Sequence, residues 1–292
     1  MNATKVKLVN LPTAYCLMKL HNSDLMKYLV CFFTFLIASP SVFAQDYALQ
    51  QLEESPRHHE WIEVSDGDRT IHNFVVYPEV SEDAMAVIVI HENRGLTDWV
   101  RSFADQLAAE GYIAIAPDLL SEFNENHQKT SDFESSDAAR NALYELNQDR
   151  ITQDLKAVQD YVTQLPASNG NIVVAGFCWG GSQSFRYATN ADGLSAALVF
   201  YGSAPTDGDQ ISRISVPVYG FYGGNDQRIN STIPETSDLM QEYNKEYIYN
   251  IYEGAGHGYM RTGDAPDAER ANKTARDSSW EWIRDILSDL DK

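Results

Sequence analysis

Hydrophobic positions follow two rhythms along the chain after residue 57. Trp61–Val64 and Ile71–Tyr77 alternate apolar and polar residues across Ser65-Asp66-Gly67-Asp68, which predicts a β-hairpin. Met85–Ile90, Tyr112–Ala116, Ile172–Ala175, Ala196–Tyr201, Val216–Tyr222 and Tyr247–Tyr252 are short apolar runs suited to strands, most of them continuous enough for burial on both faces. Between them lie stretches with helical spacing. Thr97–Glu110 carries Val100, Phe103, Leu107 and Ala108 on one face, with Gly111 placed to cap it. Ser136–Asn147, Asp149–Leu165, Ser182–Ala188, Ile233–Tyr243 and Ala265–Leu290 read as further helices, and Pro166 stops the second of these. Leu119–Ser136 is polar and irregular, and reads as a surface excursion bordering a site. Strands and helices that alternate in this way predict an α/β fold, a mostly parallel central sheet with helices on both faces.

The first 44 residues have another character. Met26-Lys27 begins a charged head, Tyr28–Ala38 is an apolar core, and Val42-Phe43-Ala44 offers small residues where a signal peptidase reads. The expectation is a leader over residues 1–44 with cleavage after Ala44, and with Met26 as the true start. The apolar core is too short to anchor in a bilayer. Residues 45–292 would then form a single exported domain, periplasmic or secreted, with no stable membrane insertion.

Charge and cysteine content narrow the partners. The net charge of −20 argues against nucleic acid or anionic membrane as a partner and fits a solvated surface. Cys16 and Cys31 fall within the leader, so Cys178 is the sole thiol expected in the mature chain, which is expected to be a monomer. A lone thiol in an exported protein is an oxidation liability, and catalysis is the economical reason to keep it.

Cys178 sits in Gly176-Phe177-Cys178-Trp179-Gly180, after a predicted strand and before a predicted helix. This is the layout of a nucleophile elbow with cysteine as the central residue, poised over a helix N-terminus that favours thiolate. Two later strands also end in chemistry, Gly223-Gly224-Asn225-Asp226 and Gly254-Ala255-Gly256-His257-Gly258. The order Cys178, Asp226, His257 is that of the α/β-hydrolase arrangement. His257 would take the thiol proton and later give one to the leaving oxygen, while Asp226 fixes its tautomer.

Met85–Ile90 ends in His91-Glu92-Asn93-Arg94-Gly95. A zinc motif of the H-E-x-x-H type needs histidine at position 95, which is glycine, and no metal site is assigned. The loop after this strand and the residue after the nucleophile supply the oxyanion-hole donors, here the backbone N–H groups of Asn93 and Trp179. Glu92 sits beside them, either pointing at the thiol or standing as a surface carboxylate.

Gly-Phe-Cys-Trp-Gly-Gly, His-Glu-Asn-Arg-Gly, Ala-Pro-Asp-Leu and Gly-Ala-Gly-His-Gly-Tyr-Met-Arg together resemble the dienelactone hydrolase family, over about Trp61 to Ile286. The resemblance implies an α/β-hydrolase fold, no cofactor, and hydrolysis of a lactone or small carboxylic ester through an acyl-cysteine. It places the triad on Cys178, Asp226 and His257, and on Glu92 the carboxylate that hydrogen-bonds the resting thiol. Of the two arginines that clamp a substrate carboxylate, one falls on Arg261. The other would follow Pro117-Asp118-Leu119, where the chain reads Ser121-Glu122-Phe123. Arg94 and Arg140 are the candidates to replace it, and a carboxylate near Glu122 would be repelled. Phe177, Trp179, Tyr201, Tyr222 and Tyr259 flank the site, either as an apolar wall for the substrate or as core. Two other readings stand beside hydrolysis: a non-catalytic binding protein of the same fold, and a redox-active thiol protein.

Overall fold

The computed structural model describes residues 40–292. In chain order the elements are α1 (Pro40–Glu54), β1 (His59–Asp66), β2 (Arg69–Val76), β3 (Ala84–Ile90), α2 (Asp98–Ala109), β4 (Ile113–Pro117), α3 (Ser136–Glu145) and α4 (Gln148–Thr163). They continue as β5 (Ser168–Phe177), α5 (Trp179–Ala188), β6 (Ala196–Phe200), α6 (Gly208–Ile211), β7 (Val218–Gly223) and α7 (Gln227–Asn230). The last are α8 (Ile233–Glu242), β8 (Tyr247–Tyr252), α9 (Tyr259–Thr262) and α10 (Arg270–Leu290). The expected leader lies outside the described residues except for its end, and the point after Ala44 falls inside α1.

The eight strands form one sheet in the order β1-β2-β4-β3-β5-β6-β7-β8. The hairpin β1–β2 is antiparallel and joins β4 antiparallel, while every pairing from β4 to β8 is parallel. Parallel strands need crossovers, and the helices that supply them cover both faces. On one face α1, α2 and α10 bury Trp99, Phe103, Trp280 and Ile283 against β3, β5 and β6. On the other, α3, α4, α5 and α8 bury Leu143, Leu155, Phe185 and Met240. The all-apolar runs of β3 and β6 are buried at every position because both of their faces are covered. At the sheet edge β8 is the exception, with Ile248, Tyr249 and Ile251 exposed.

The strands and long helices lie where the hydrophobic pattern places them, with ends shifted by a few residues. The start of α10 at Arg270 rather than Ala265 is the largest helical shift. The helix α1 was not anticipated. Its Ala48 and Leu52 are buried on α2, and Ser102 Oγ–H donates to Gln51 Oε1 at 2.6 Å. The turn after α1 is tied to α2 through buried Asp105. Its carboxylate accepts from Ser55 Oγ at 2.6 Å, Arg57 Nε at 2.8 Å and His59 Nε2 at 2.7 Å. Burial alone would raise the Asp105 pKa, but the hydrogen bonds from Arg57, Ser55 and His59 outweigh it and hold the carboxyl below its ordinary value.

Candidate active site

Cys178 stands at φ 56° and ψ −114°, between the end of β5 and the first turn of α5. That backbone is strained for a residue with a Cβ and persists only where the surroundings impose it. Here they do. The Cys178 N–H donates to the Phe200 carbonyl at 2.9 Å, which fastens the turn to β6. A Cβ on Gly176 would lie 2.0 Å from the Gly180 carbonyl oxygen, and one on Gly180 would lie 2.3 Å from that of His91. Strand, helix and the β3 loop therefore close on one another only with glycine at both positions.

Asp226 and His257 arrive from the carboxyl ends of β7 and β8, the end of a parallel sheet where ligands bind. Asp226 caps α7 and its Oδ2 accepts from His257 Nδ1–H at 2.5 Å. With the proton held on Nδ1, His257 Nε2 accepts from the Cys178 thiol at 3.1 Å. The aspartate is 6% exposed, and the buried Tyr201 ring stands edge-on to the imidazole at 5.0 Å. Carboxylate, imidazole and thiol thus form a continuous relay.

Burial, followed by the negative charge of Glu92, pushes the Cys178 thiol up to about 11. The backbone N–H groups of Trp179 and Asn93 and the charge of Arg228 act in the opposite direction. The sum leaves the resting sulfur protonated at neutral pH. The thiolate character expected from the α5 N-terminus is absent, because desolvation of the anion exceeds what the helix end supplies. Glu92 also differs from expectation. Its carboxylate is buried, but Oε2 accepts from Arg261 Nε at 2.8 Å, and the thiol hydrogen-bonds His257 instead.

The sequence profile of the dienelactone hydrolase family matches residues 71–289. The chain belongs to the dienelactone hydrolase family. A protein of Saccharolobus solfataricus that carries a provisional carboxymethylenebutenolidase name is 31% identical over 258 residues, covering 78% of this chain and 97% of that protein. A dienelactone hydrolase structure from Klebsiella pneumoniae, also provisionally named, superposes with a TM-score of 0.70 at 19% identity, covering 80% of this chain and 98% of the other. A dienelactone-hydrolase-like promiscuous phosphotriesterase from metagenomic libraries reaches a TM-score of 0.68 at 21% identity, with 80% and 98% covered. At these identities the structural likeness speaks for the α/β-hydrolase fold.

In this dienelactone-hydrolase-like hydrolase, Cys178 lines a cavity of about 610 Å³. Glu92, Asn93, Trp179, Tyr201, His257 and Arg261 line it, all singled out from the sequence. Phe177 and Tyr222 do not. Phe177 is 0% exposed because strand alternation turns it to the α2 face, where it packs edge-on to Trp99 and Phe103 and stacks on Phe200. Tyr222 is buried with Ile229 and Ile233, and its hydroxyl pairs with that of Tyr247 at 2.7 Å. Tyr259 is core as well, bonded to Ser279. Glu122 is directed away from the cavity and accepts from the Thr70 N–H at 2.9 Å, so it repels nothing there.

Arg228 and Tyr144 also line the cavity and were not found in the sequence. Arg228 was legible in principle, since it stands two residues beyond Asp226 in the short helix that Asp226 caps. Tyr144 comes from α3, whose approach to the site no local pattern encodes. Of the two arginines considered as a second cation, Arg94 lines the cavity, whereas Arg140 is exposed and pairs with Asp137. Among the described residues no cluster of histidine, cysteine and carboxylate side chains is arranged to hold a metal ion.

Proposed function

We propose that the protein hydrolyses a small lactone or carboxylic ester through an acyl-cysteine intermediate and works outside the cytoplasm. The observation that carries the chemistry is the hydrogen-bonded relay Asp226–His257–Cys178, beside which the Asn93 and Trp179 backbone N–H groups favour the thiolate. Cys178 Sγ attacks the substrate carbonyl as His257 Nε2 takes the thiol proton. Asn93 and Trp179 N–H groups stabilise the tetrahedral oxyanion, and Asp226 stabilises the imidazolium. The carbonyl–oxygen bond to the leaving alkoxide breaks, and His257 returns its proton to that oxygen. A water deprotonated by His257 then attacks the thioester, the sulfur leaves, and the imidazolium reprotonates it.

Arg94 and Arg228 support a substrate that carries an anionic group. Both line the cavity and neither is held by a carboxylate among the described residues, whereas Arg261 is occupied by Glu92. Two guanidinium groups in so acidic a chain suit a carboxylate better than a neutral ester. The export part of the proposal rests on the leader pattern. Cleavage after Ala44 leaves buried Ala48 and Leu52 in the mature chain, so the N-terminal packing on α2 is retained.

The test is hydrolysis of a small activated ester by residues 45–292, before and after iodoacetamide, beside Cys178→Ser and Cys178→Ala variants. Turnover lost in step with alkylation of Cys178 supports the acyl-cysteine route; turnover retained in Cys178→Ala excludes it. The raised thiol pKa, with no second cysteine among the described residues, disfavours the redox reading.

A further inference from the structure

The motif residue that the reaction leaves unused is His91. It follows the last residue of β3, is 0% exposed, and touches Trp179 and the carbonyl of the peptide unit whose N–H belongs to Asn93. Its ring stacks on that of Trp179, centroids 5.5 Å apart and planes inclined by 9°. Its Nδ1–H donates to the carbonyl of Glu92 at 2.8 Å, and its Nε2 accepts from the Leu119 N–H at 3.3 Å. The two bonds demand one neutral tautomer. Burial enforces it, outweighing the pull of Asp118 and Glu92 toward the cation.

The bond to Glu92 has a geometric effect on its neighbour. The carbonyl of Glu92 and the N–H of Asn93 belong to one planar peptide unit, and no peptide bond among the described residues is cis. In a trans unit the carbonyl and the N–H point in opposite directions. Holding the Glu92 oxygen back on the buried imidazole therefore turns the Asn93 N–H the other way, toward the cavity that Asn93 and Cys178 both line. The far side of the ring is fixed by Leu119, in the segment after β4, so the donor is aimed from the core rather than by the loop itself.

We infer that His91 is a positioning residue that sets the Asn93 half of the oxyanion hole by fixing the Glu92–Asn93 peptide plane. The inference rests on the acyl-cysteine reading for its kinetic consequence, but not for its geometry.

Two isosteric variants separate aiming from packing. In His91→Asn the side-chain amide nitrogen takes the place of Nδ1 and keeps the bond to Glu92. In His91→Gln the terminal amide reaches the place of Nε2, keeping the Leu119 contact and losing the Glu92 bond. Each variant forfeits one hydrogen bond and the Trp179 stack, so their melting temperatures fall together. His91→Gln is expected to lose about 10²-fold in kcat with KM unchanged, the loss typical of one oxyanion donor, while His91→Asn stays within about threefold of the parent. Equal kcat losses in the two variants would overturn the inference.

A second reading needs no turnover, namely the pH profile of Cys178 alkylation by iodoacetamide. Glu92, His257, Arg228, Arg261 and Tyr201 face the sulfur in both variants, so their effects cancel in the comparison. His91→Gln, with the Asn93 N–H released, shifts the profile to higher pH, and His91→Asn does not. Coincident profiles would refute the aiming role. A parent protein that hydrolyses no ester would defeat the proposed function while leaving this comparison intact.

Discussion

Glu92 and Arg261 form a partly buried ion pair at 2.8 Å in the cavity that Cys178 lines, so the carboxylate that the family pattern places on the sulfur is held by a cation instead. The negative charge remains close enough to be the second cause, after burial, of the raised Cys178 pKa. Glu92→Gln removes that charge while keeping the shape. The folded-state thiol pKa then falls, and a larger thiolate fraction is present at any pH below it. Alkylation of Cys178 at neutral pH should become several-fold faster, read as a second-order rate constant with iodoacetamide. An unchanged rate would show that the Glu92 charge is screened from the sulfur.

Arg228 stands at the cavity wall on α7 and favours the thiolate from there. Arg228→Ala should raise KM for anionic esters by about tenfold, the equivalent of one charge-assisted hydrogen bond, with little change for neutral esters of the same acyl group. Parallel effects on the two series would remove Arg228 from substrate recognition.

Phe177 and Tyr222 separate core from wall by experiment. Phe177→Ala empties a fully buried aromatic site and should cost about 3–5 kcal/mol of stability, read by denaturant unfolding. Tyr222→Phe loses only the hydroxyl pair with Tyr247 and should cost about 1 kcal/mol with KM unaltered. A selective KM change in Tyr222→Phe would return that residue to the substrate wall.

Asp105 ties the turn after α1 to α2 through Ser55, Arg57 and His59. Asp105→Ala strands the half-buried Arg57 guanidinium and should cost about 2 kcal/mol. The folded pKa lies below the ordinary carboxyl value, so the stabilisation is complete above that value and is lost as pH falls through the folded pKa. Unfolding measured at neutral pH and again below pH 3.8 should show the parent-to-variant difference shrinking in acid.

The sheet was legible because both-face burial leaves a continuous apolar run, and β3 and β6 are buried at every position. Cys178, Asp226 and His257 were legible because each follows such a run, and parallel strands bring their carboxyl ends together. What escaped depended on long-range burial. The Cys178 pKa is set by how deeply the sulfur is desolvated, which the elbow motif does not encode. Phe177 adjoins Cys178 in sequence but, as the last residue of β5, turns into the α2 core. Short α7 and α9, which place Arg228 and Arg261, are too brief to give a periodic signal. The helix α1 was hidden where a leader pattern runs into the fold.

The three relay members stand on unequal ground. Cys178 follows central β5, whereas His257 follows β8, an edge strand, which is paired on one side and exposed along most of its length. Fraying of that margin would carry the imidazole away while the elbow stayed intact. Heat inactivation should therefore set in below the temperature at which the sheet melts, and reverse on cooling, with the proposed general base giving way before the proposed nucleophile.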